Sequence, residues 1–372
     1  MRGWMSLLDR YLAKEILLPF GAGLVFLTQI LLATQLLAQA NILFGSGVSA
    51  WDVAKVLLLL TPHILGFILP VAFMLGAVVG VGRLAEDREI IALGAAGLSP
   101  LRLVRVPLLL GVAVSALALL LALEIEPASI RAARLLLNEI IKKNVTSDVK
   151  PGTFYDDIPG YTLYAERVHH GRWENVLISD RSNADAPVLA LARGGRFEPA
   201  PSGEAMRLVL DGGEAHREQG GTEDYVVANF ERATVVVGVE QTVGDRNSLS
   251  GSSREFTSRE LLRLAREAPT RAQAWRWLGY FHRKVSQALA MIPFALLAVP
   301  LAAVRRGGRA FGVGATLAAV LAHYLLLRGG EVLAQKGALA PILALQLPTI
   351  VLSLAGLAAV VVLARRGTGA VR

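Results

Sequence analysis

The hydrophobic residues of this chain are gathered into six long blocks separated by polar stretches. The blocks cover residues 16–37, 53–81, 101–123, 285–304, 311–327 and 341–363. A helix needs about 20 mainly apolar residues to cross a hydrocarbon core about 30 Å thick. The pattern therefore predicts an α-helical polytopic membrane protein with three spans before, and three spans after, a long polar region.

The composition agrees with this pattern. Hydrophobic residues make up 53% of the chain and charged residues only 18%, with a mean hydropathy of +0.49. The first block is longer than the apolar part of a cleaved signal peptide, which has about 7–15 residues, so we expect a retained helix. The chain contains no cysteine, which excludes disulfides and thiolate metal sites.

The basic residues are concentrated at one end of the predicted spans. A net charge of +8 is compatible with nucleic-acid binding. However, if the chain crosses the membrane at each predicted span, all four basic clusters lie on one side of it. These clusters are at 10–14, 83–105, 305–309 and 365–372. The short loops on the opposite side, 40–50 and 328–340, carry only two basic residues, Arg328 and Lys336. The positive-inside rule then predicts two cytoplasmic termini, an external polar region and no nucleic-acid partner.

The polar region between the third and fourth spans is predicted to hold an all-β domain. Short strand-like segments recur at 160–168, 174–180, 187–195, 205–213 and 223–238, which is typical of an antiparallel sandwich or jelly roll. A helix over 127–143 is expected to continue the third span outward. A second helix, over 257–269, opens with Thr257 and Glu260 in a capping box and is expected to lie on the membrane surface.

These patterns predict four regions. They are transmembrane helices 1–3 (1–126), an external β-domain with a leading helix (127–256), a linker helix region (257–284) and transmembrane helices 4–6 (285–372).

A charged segment, RLAEDREIIALGAAGLSP (83–100), lies between the second and third spans. Its propensities predict a cytoplasmic helix over about 84–97 that Gly97 ends, with Ser99 and Pro100 beginning the next helix. Glu89, Leu93 and Ala96 share a face at helical spacing, which suits the groove of a soluble partner. The same spacing also fits a plain solvated connector.

Catalytic and nucleotide-binding motifs are sparse. The sequence has no G-x-x-x-x-G-K-[ST] and no Gly-Lys pair, so we expect the chain neither to hydrolyse ATP nor to hold a cofactor or metal. His63 and His323 lie within spans, where an ionisable residue suggests function, although a histidine can also simply be hydrogen-bonded between helices. Glu124 and Glu126 could share a proton or form a solvated helix end. A membrane-anchored lipid-modifying enzyme that uses His323, Glu331 or the Glu124/Glu126 pair is left as an alternative.

The stretch RLAEDREIIALGAAGLSPLRL resembles the signature block of the LptF/LptG family of lipopolysaccharide export permeases. RYLAKEILLPF (10–20), TPHILGFILPVAFMLG (61–76) and HRKVSQALAMIPFALLAVPLA (282–302) are similar to the same family, as is the layout of spans around a jelly-roll-like periplasmic domain. The resemblance implies an inner-membrane permease subunit of an ABC-type exporter, closer to the F-type than to the G-type at its start. A permease of another ABC-type lipid or lipoprotein release system is the other transporter alternative.

The resemblance also implies partners and site residues. The expected partners are an LptB-like ATPase dimer that uses the ATP, a paired LptG/LptF-type permease, LptC and LptA-like bridge proteins, and lipopolysaccharide. Segment 84–97 corresponds to the coupling helix, and the acidic residue that enters the ATPase groove aligns with Glu89, with Glu86 as the weaker candidate. Arg131, Arg134 and Arg328 are expected to contact lipopolysaccharide phosphates, because a guanidinium can donate two parallel hydrogen bonds.

Overall fold

The computed structural model describes most of the chain. The described residues are 7–38, 40–44, 48–148, 151–155, 160–169, 171–181, 187–199, 206–218, 225–237, 255–303 and 308–366. The chain divides into two compact units. The first comprises Met1–Leu32, Thr61–Ala128 and Phe256–Arg372, and the second comprises Ala33–Leu60 and Ser129–Glu255.

Helices account for most of the described residues. They are α1 (Leu7–Ala38), α2 (Ala40–Leu43), α3 (Ala50–Glu86), α4 (Glu89–Ala95), α5 (Pro100–Leu120), a π-helical segment (Leu121–Ile125), α6 (Glu126–Asp148), α7 (Ser258–Glu267), α8 (Arg271–Leu289), α9 (Met291–Ala303), α10 (Gly308–Gln335) and α11 (Pro341–Arg366). Six helical stretches are long and apolar enough to cross a membrane: Leu7–Ala38, Ala50–Glu86, Leu101–Ile140, Arg271–Ala302, Val313–Gln335 and Pro341–Arg365. The predicted arrangement of three spans before and three after the polar region is confirmed. Of the predicted basic clusters, Arg305, Arg306 and Arg372 lie outside the described residues.

In the first unit, α1 and α3 pack with their backbones close together. A Cβ atom added at Gly76 would overlap the backbone and Cβ of Phe20, and one added at Gly80 would overlap the carbonyl oxygen of Glu15. Small residues four positions apart permit this approach between membrane helices. The two glycines therefore fix how the first and second spans pack.

We expect Gly80→Ala to lower the melting temperature of the detergent-purified chain. The added methyl must push α1 away from α3, and overpacking of this kind typically costs about 1–3 kcal/mol. Gly66→Ala on the same helix is the matched control, because its methyl would meet nothing within 4 Å. Thermal unfolding of both variants tests the contact, and equal melting temperatures would contradict it.

The second unit contains a single antiparallel sheet among the described residues. Its strands are β1 (Phe154–Tyr155), β2 (Tyr161–His169), β3 (Arg172–Asp180), β4 (Val188–Pro199), β5 (Met206–Glu218) and β6 (Tyr225–Val237). They pair in the order β1-β2-β3-β4-β5-β6, so each strand lies beside its neighbour in sequence. The predicted inserted β-domain is confirmed, and its five long strands agree with the predicted segments to within a few residues.

Helices cover the apolar face of this sheet. Leu163 and Ile178 are almost completely buried. They lie on one face of the sheet, since alternate side chains of a strand point to the same side. Leu137 and Ile140 of α6 and Val56 of α3 belong to the same core. The described strands thus form one sheet packed against helices.

Candidate functional site

The segment between the second and third spans consists of two helices joined by a turn. Helix α3 continues through Glu86, so the start of the predicted 84–97 helix belongs to the second span. Arg88 has a φ of 60°, a left-handed conformation that interrupts a right-handed helix. Helix α4 then begins at Glu89 and ends at Ala95. The continuous helix that the propensities predict is thus broken at Arg88.

The end of α4 follows the predicted capping pattern. Gly97 has a φ of 84°. The amide of Leu98 donates to the carbonyl of Leu93 at 3.0 Å, and the amide of Gly97 donates to the carbonyl of Gly94 at 3.0 Å. These are the two hydrogen bonds of a Schellman motif. The Ser99 hydroxyl accepts a bond of 3.3 Å from an amide in the first turn of α5. These caps fix α4 between the two spans.

The two faces of α4 differ in burial. Ile90 is buried, and Leu93 packs against the hydrophobic core of the first unit. The exposed side of the helix is apolar and consists of Ile91, Ala92, Ala95 and Ala96. The structure therefore separates Leu93 from Ala96, which spacing alone placed on one face. An exposed apolar strip on a short helix is the kind of surface that docks into a groove.

Side chains from the start of α1 hold this segment in place. The Tyr11 hydroxyl donates to the Glu89 carboxylate, whose oxygens lie 3.0 and 2.9 Å away. Two ion pairs flank this bond: Glu15–Arg83 at 3.2 Å, and Asp9–Arg102 at 2.9 Å. Helix α1 thereby contacts the end of α3, the start of α4 and the start of α5. Glu89 is half-buried, while Glu86 is exposed at the end of α3.

The sequence analysis did not identify the contacts of α1. One signal was available, because Asp9 and Glu15 are the two acidic residues of a helix that is otherwise largely apolar. Their partners are more than 60 positions away along the chain. Only the packing of α1 against α3 and α5 shows which basic residue each acid meets.

A buried charged cluster lies in α3, α6 and α8, away from α4 along α3. Glu126 Oε1 lies 2.7 Å from His63 Nδ1, and Glu126 Oε2 lies 3.9 Å from Lys284 Nζ. Glu126 is 7% exposed and Lys284 is 5% exposed. A solvated helix end for Glu126 is thus the wrong interpretation. Glu124 is exposed, so the two glutamates do not form a carboxylate pair.

Glu126 directly follows the π-helical segment Leu121–Ile125. A π-helical turn accommodates one extra residue and so rotates the side chains that follow it relative to those before. The carbonyl of Leu123 in this segment accepts a hydrogen bond of 3.1 Å from the Ser258 hydroxyl. The irregular turn is therefore held by α7 and directs Glu126 to its partners on α3 and α8.

The predicted contact residue Arg328 belongs to a second ionic cluster in the first unit. Its guanidinium lies 2.7 Å from the Glu331 carboxylate, and the other oxygen of that carboxylate lies 3.7 Å from Arg283. The Arg283 and Glu331 side chains are each 13% exposed, whereas that of Arg328 is 55% exposed. Arg328 is the accessible cation of this cluster.

Arg131 and Arg134 project from one side of α6, as their spacing predicts. In the second unit, Arg131 Nε donates to the carbonyl of Glu255 at 2.9 Å, and Arg134 forms an ion pair with the Glu255 carboxylate. A single glutamate, Glu255, thus contacts both of the arginines that are predicted to bind phosphate.

The sheet carries an open groove of about 760 Å³. Apolar lining comes from Leu177, Leu191 and Phe230, and polar lining includes Arg193 and Glu214. The groove therefore combines apolar and charged surface, as a site for an amphipathic molecule requires.

The surroundings of His323 do not resemble an enzyme site. This residue is 1% exposed, and its ring packs edge-on against the ring of Phe294, with centroids 5.6 Å apart. A general base must lie within hydrogen-bond reach of its substrate. The contacts observed for His323 are those of a residue packed inside a helix bundle.

Six candidate spans, an inserted antiparallel sheet and a short capped helix between the second and third spans define a multi-pass membrane protein. Comparison with known families matches residues 10–365 to the family described as lipopolysaccharide export system permease LptF/LptG. The chain belongs to this family, which is a family of transport permeases and not of enzymes.

The chain is also similar to the uncharacterized protein RP871 of Rickettsia prowazekii (strain Madrid E). The two are 26% identical over 193 residues, which is 51% of this chain and 53% of that protein. The chain therefore spans about half the length of this relative.

Proposed function

We propose that this chain is one permease subunit of an ABC-type exporter that extracts lipopolysaccharide from the bacterial inner membrane. The observation that carries the proposal is the family match over residues 10–365. The exporter would also contain a paired LptG/LptF-type permease and a separate LptB-like ATPase dimer. LptC and LptA-like proteins would receive the lipid in the periplasm. The distribution of basic residues supports cytoplasmic termini and a periplasmic sheet.

Helix α4 is the proposed contact with the ATPase. Its exposed apolar strip enters a groove of the ATPase, and Glu89 lies at the start of that helix. The hydrogen bond from Tyr11 links Glu89 to the first span. The ion pairs of Arg83 and Arg102 join the second and third spans to α1. A movement of α4 on ATP hydrolysis would therefore act on three spans at once.

Arginines on the proposed outer side are suited to the phosphates of the substrate. Arg328 is exposed beside Glu331, and Arg131 and Arg134 are already arranged around the carboxylate of Glu255. An arginine that binds a carboxylate can bind a phosphate in the same geometry. The groove of the sheet would then take apolar parts of the lipid as it leaves the spans.

Affinity purification of the tagged chain from its native membrane, in mild detergent, tests the proposal. Mass spectrometry of the purified complex is expected to find a P-loop ATPase, a second six-span permease and bound lipopolysaccharide. A chain recovered alone, under conditions that keep other membrane complexes intact, would contradict the proposal and favour the enzyme alternative.

A further inference from the structure

Helix α7 exposes a row of three arginines. Arg259, Arg263 and Arg266 are spaced four and three residues apart, which places them on one side of the helix, and all three are exposed. Within the described residues, none of the three takes part in an ion pair. We call this row the arginine stripe. It is a row of exposed cations, with the exposed Glu267 beside it, that the coupling and phosphate contacts described above do not use.

The opposite side of α7 is fixed to the protein. Leu261 is 0% exposed, and the Ser258 hydroxyl bonds to the carbonyl of Leu123. Just before the helix, the ring of Phe256 packs against Trp277 of α8 with centroids 5.4 Å apart. Protein therefore covers Leu261 and the start of the helix. The arginine stripe is the side left for a ligand.

The position of α7 along the spans suggests what that ligand is. Its first turn contacts Leu123, where the third apolar block ends. The polar part of α8 before the fourth apolar block is about 20 Å long at 1.5 Å per residue. By the same rise, the stripe extends for about 10 Å. Arg271, stacked 4.5 Å over the Trp275 ring, is a further exposed cation at the start of α8.

A phospholipid such as phosphatidylglycerol carries a single phosphate. Three guanidinium groups within about 10 Å suit a ligand that carries several negative groups on one molecule, because its second and third contacts are then intramolecular. The sugar portion of lipopolysaccharide, which carries phosphate and carboxylate groups above the lipid, has this character. Guanidinium groups bind both kinds of anion with paired hydrogen bonds.

We propose that the arginine stripe of α7 binds the anionic sugar portion of lipopolysaccharide. This inference rests on the proposed function and adds to it a site for the part of the substrate outside the bilayer. The sugar portion would contact Arg259, Arg263 and Arg266 while the lipid portion lies between the spans.

The test measures ligand binding by the full chain in nanodiscs of neutral lipid. The probes are lipopolysaccharide with its core sugars, lipid A without them, and phosphatidylglycerol. Loss of three cations facing an anionic ligand is worth on the order of tenfold to a hundredfold in affinity. We expect R259Q/R263Q/R266Q to lose that much affinity for core-bearing lipopolysaccharide while keeping its affinity for lipid A.

The control variant R10Q/R105Q/R365Q removes the same charge from exposed positions at the other ends of the spans and is expected to bind normally. R259K/R263K/R266K keeps the charge and should retain most of the binding, which separates a misfolded variant from a lost site. Unchanged binding by the glutamine variant would overturn the inference alone, and an equal loss for all three probes would replace it with a general anionic surface. A wild-type chain that binds no lipopolysaccharide would overturn the proposed function as well.

Discussion

Replacing Glu89 with arginine is expected to reduce ATP-driven lipopolysaccharide extraction by the assembled exporter at least tenfold. The substitution removes the carboxylate that accepts the Tyr11 hydrogen bond and puts a cation at the start of α4. A hydrogen bond to a charged group contributes about 1.5–3 kcal/mol, roughly ten- to a hundredfold in an equilibrium. The measurement is lipid extraction per ATP hydrolysed in proteoliposomes, with near-normal folding of the sheet checked by circular dichroism.

Four further variants locate the effect. Tyr11→Phe removes only the hydroxyl and should reduce coupling in the same direction. Because the two residues form one contact, Tyr11→Phe and Glu89→Gln should be less than additive in the double variant. Glu139→Arg reverses an exposed charge on α6 and should extract lipid normally. Normal assembly, ATPase stimulation and extraction with Glu89→Arg would defeat the coupling role.

Replacing Glu126 with leucine is expected to cause the largest loss of stability. Lys284 would then lie buried without the carboxylate that faces it, and removal of one member of a buried ion pair typically costs about 3–5 kcal/mol. The free energy of unfolding in denaturing detergent measures the effect. Glu124→Leu, at an exposed position two residues earlier, is the control and should change stability by no more than about 0.5 kcal/mol.

The double variant Glu126→Leu/Lys284→Met separates charge from packing. A buried ion pair replaced by apolar residues of similar volume is often neutral in stability. The double variant should therefore recover most of what Glu126→Leu loses. A double variant as unstable as the single one would mean that the Glu126 side chain is needed for a contact other than that with Lys284.

Local patterns were sufficient to predict the spans, the strands and the end of α4. Apolar blocks of membrane length identified the six spans, and alternating segments identified the five long strands. Gly97 and Ser99 act through their own backbone and the adjacent turn, so their roles as caps were also visible in the sequence. The break at Arg88 was not visible, because a left-handed arginine goes against the propensity of its neighbours.

The contacts of the candidate site depend on tertiary packing. Tyr11 and Glu89 are separated by 78 positions, and no periodicity within one helix relates them. Glu126 looked like a solvated helix end because its partners come from α3 and α8. The core of the sheet likewise depends on α6, since Leu137 and Ile140 of that helix pack into it. The positions of the charged residues could be taken from the sequence, but the residues with which they form hydrogen bonds and ion pairs could not.

The most direct test of the central claim is a cross-link between α4 and the ATPase. The chain has no cysteine, so Ala92→Cys on the exposed side of α4 gives a single reactive thiol. In the purified complex, a short thiol-directed cross-linker is expected to join this residue to the P-loop ATPase, with a yield that changes when ATP is hydrolysed. Ala128→Cys, exposed in the part of the third span that is far from α4, should give no such adduct. Absence of the Ala92→Cys adduct in a complex that contains the ATPase would contradict coupling through α4.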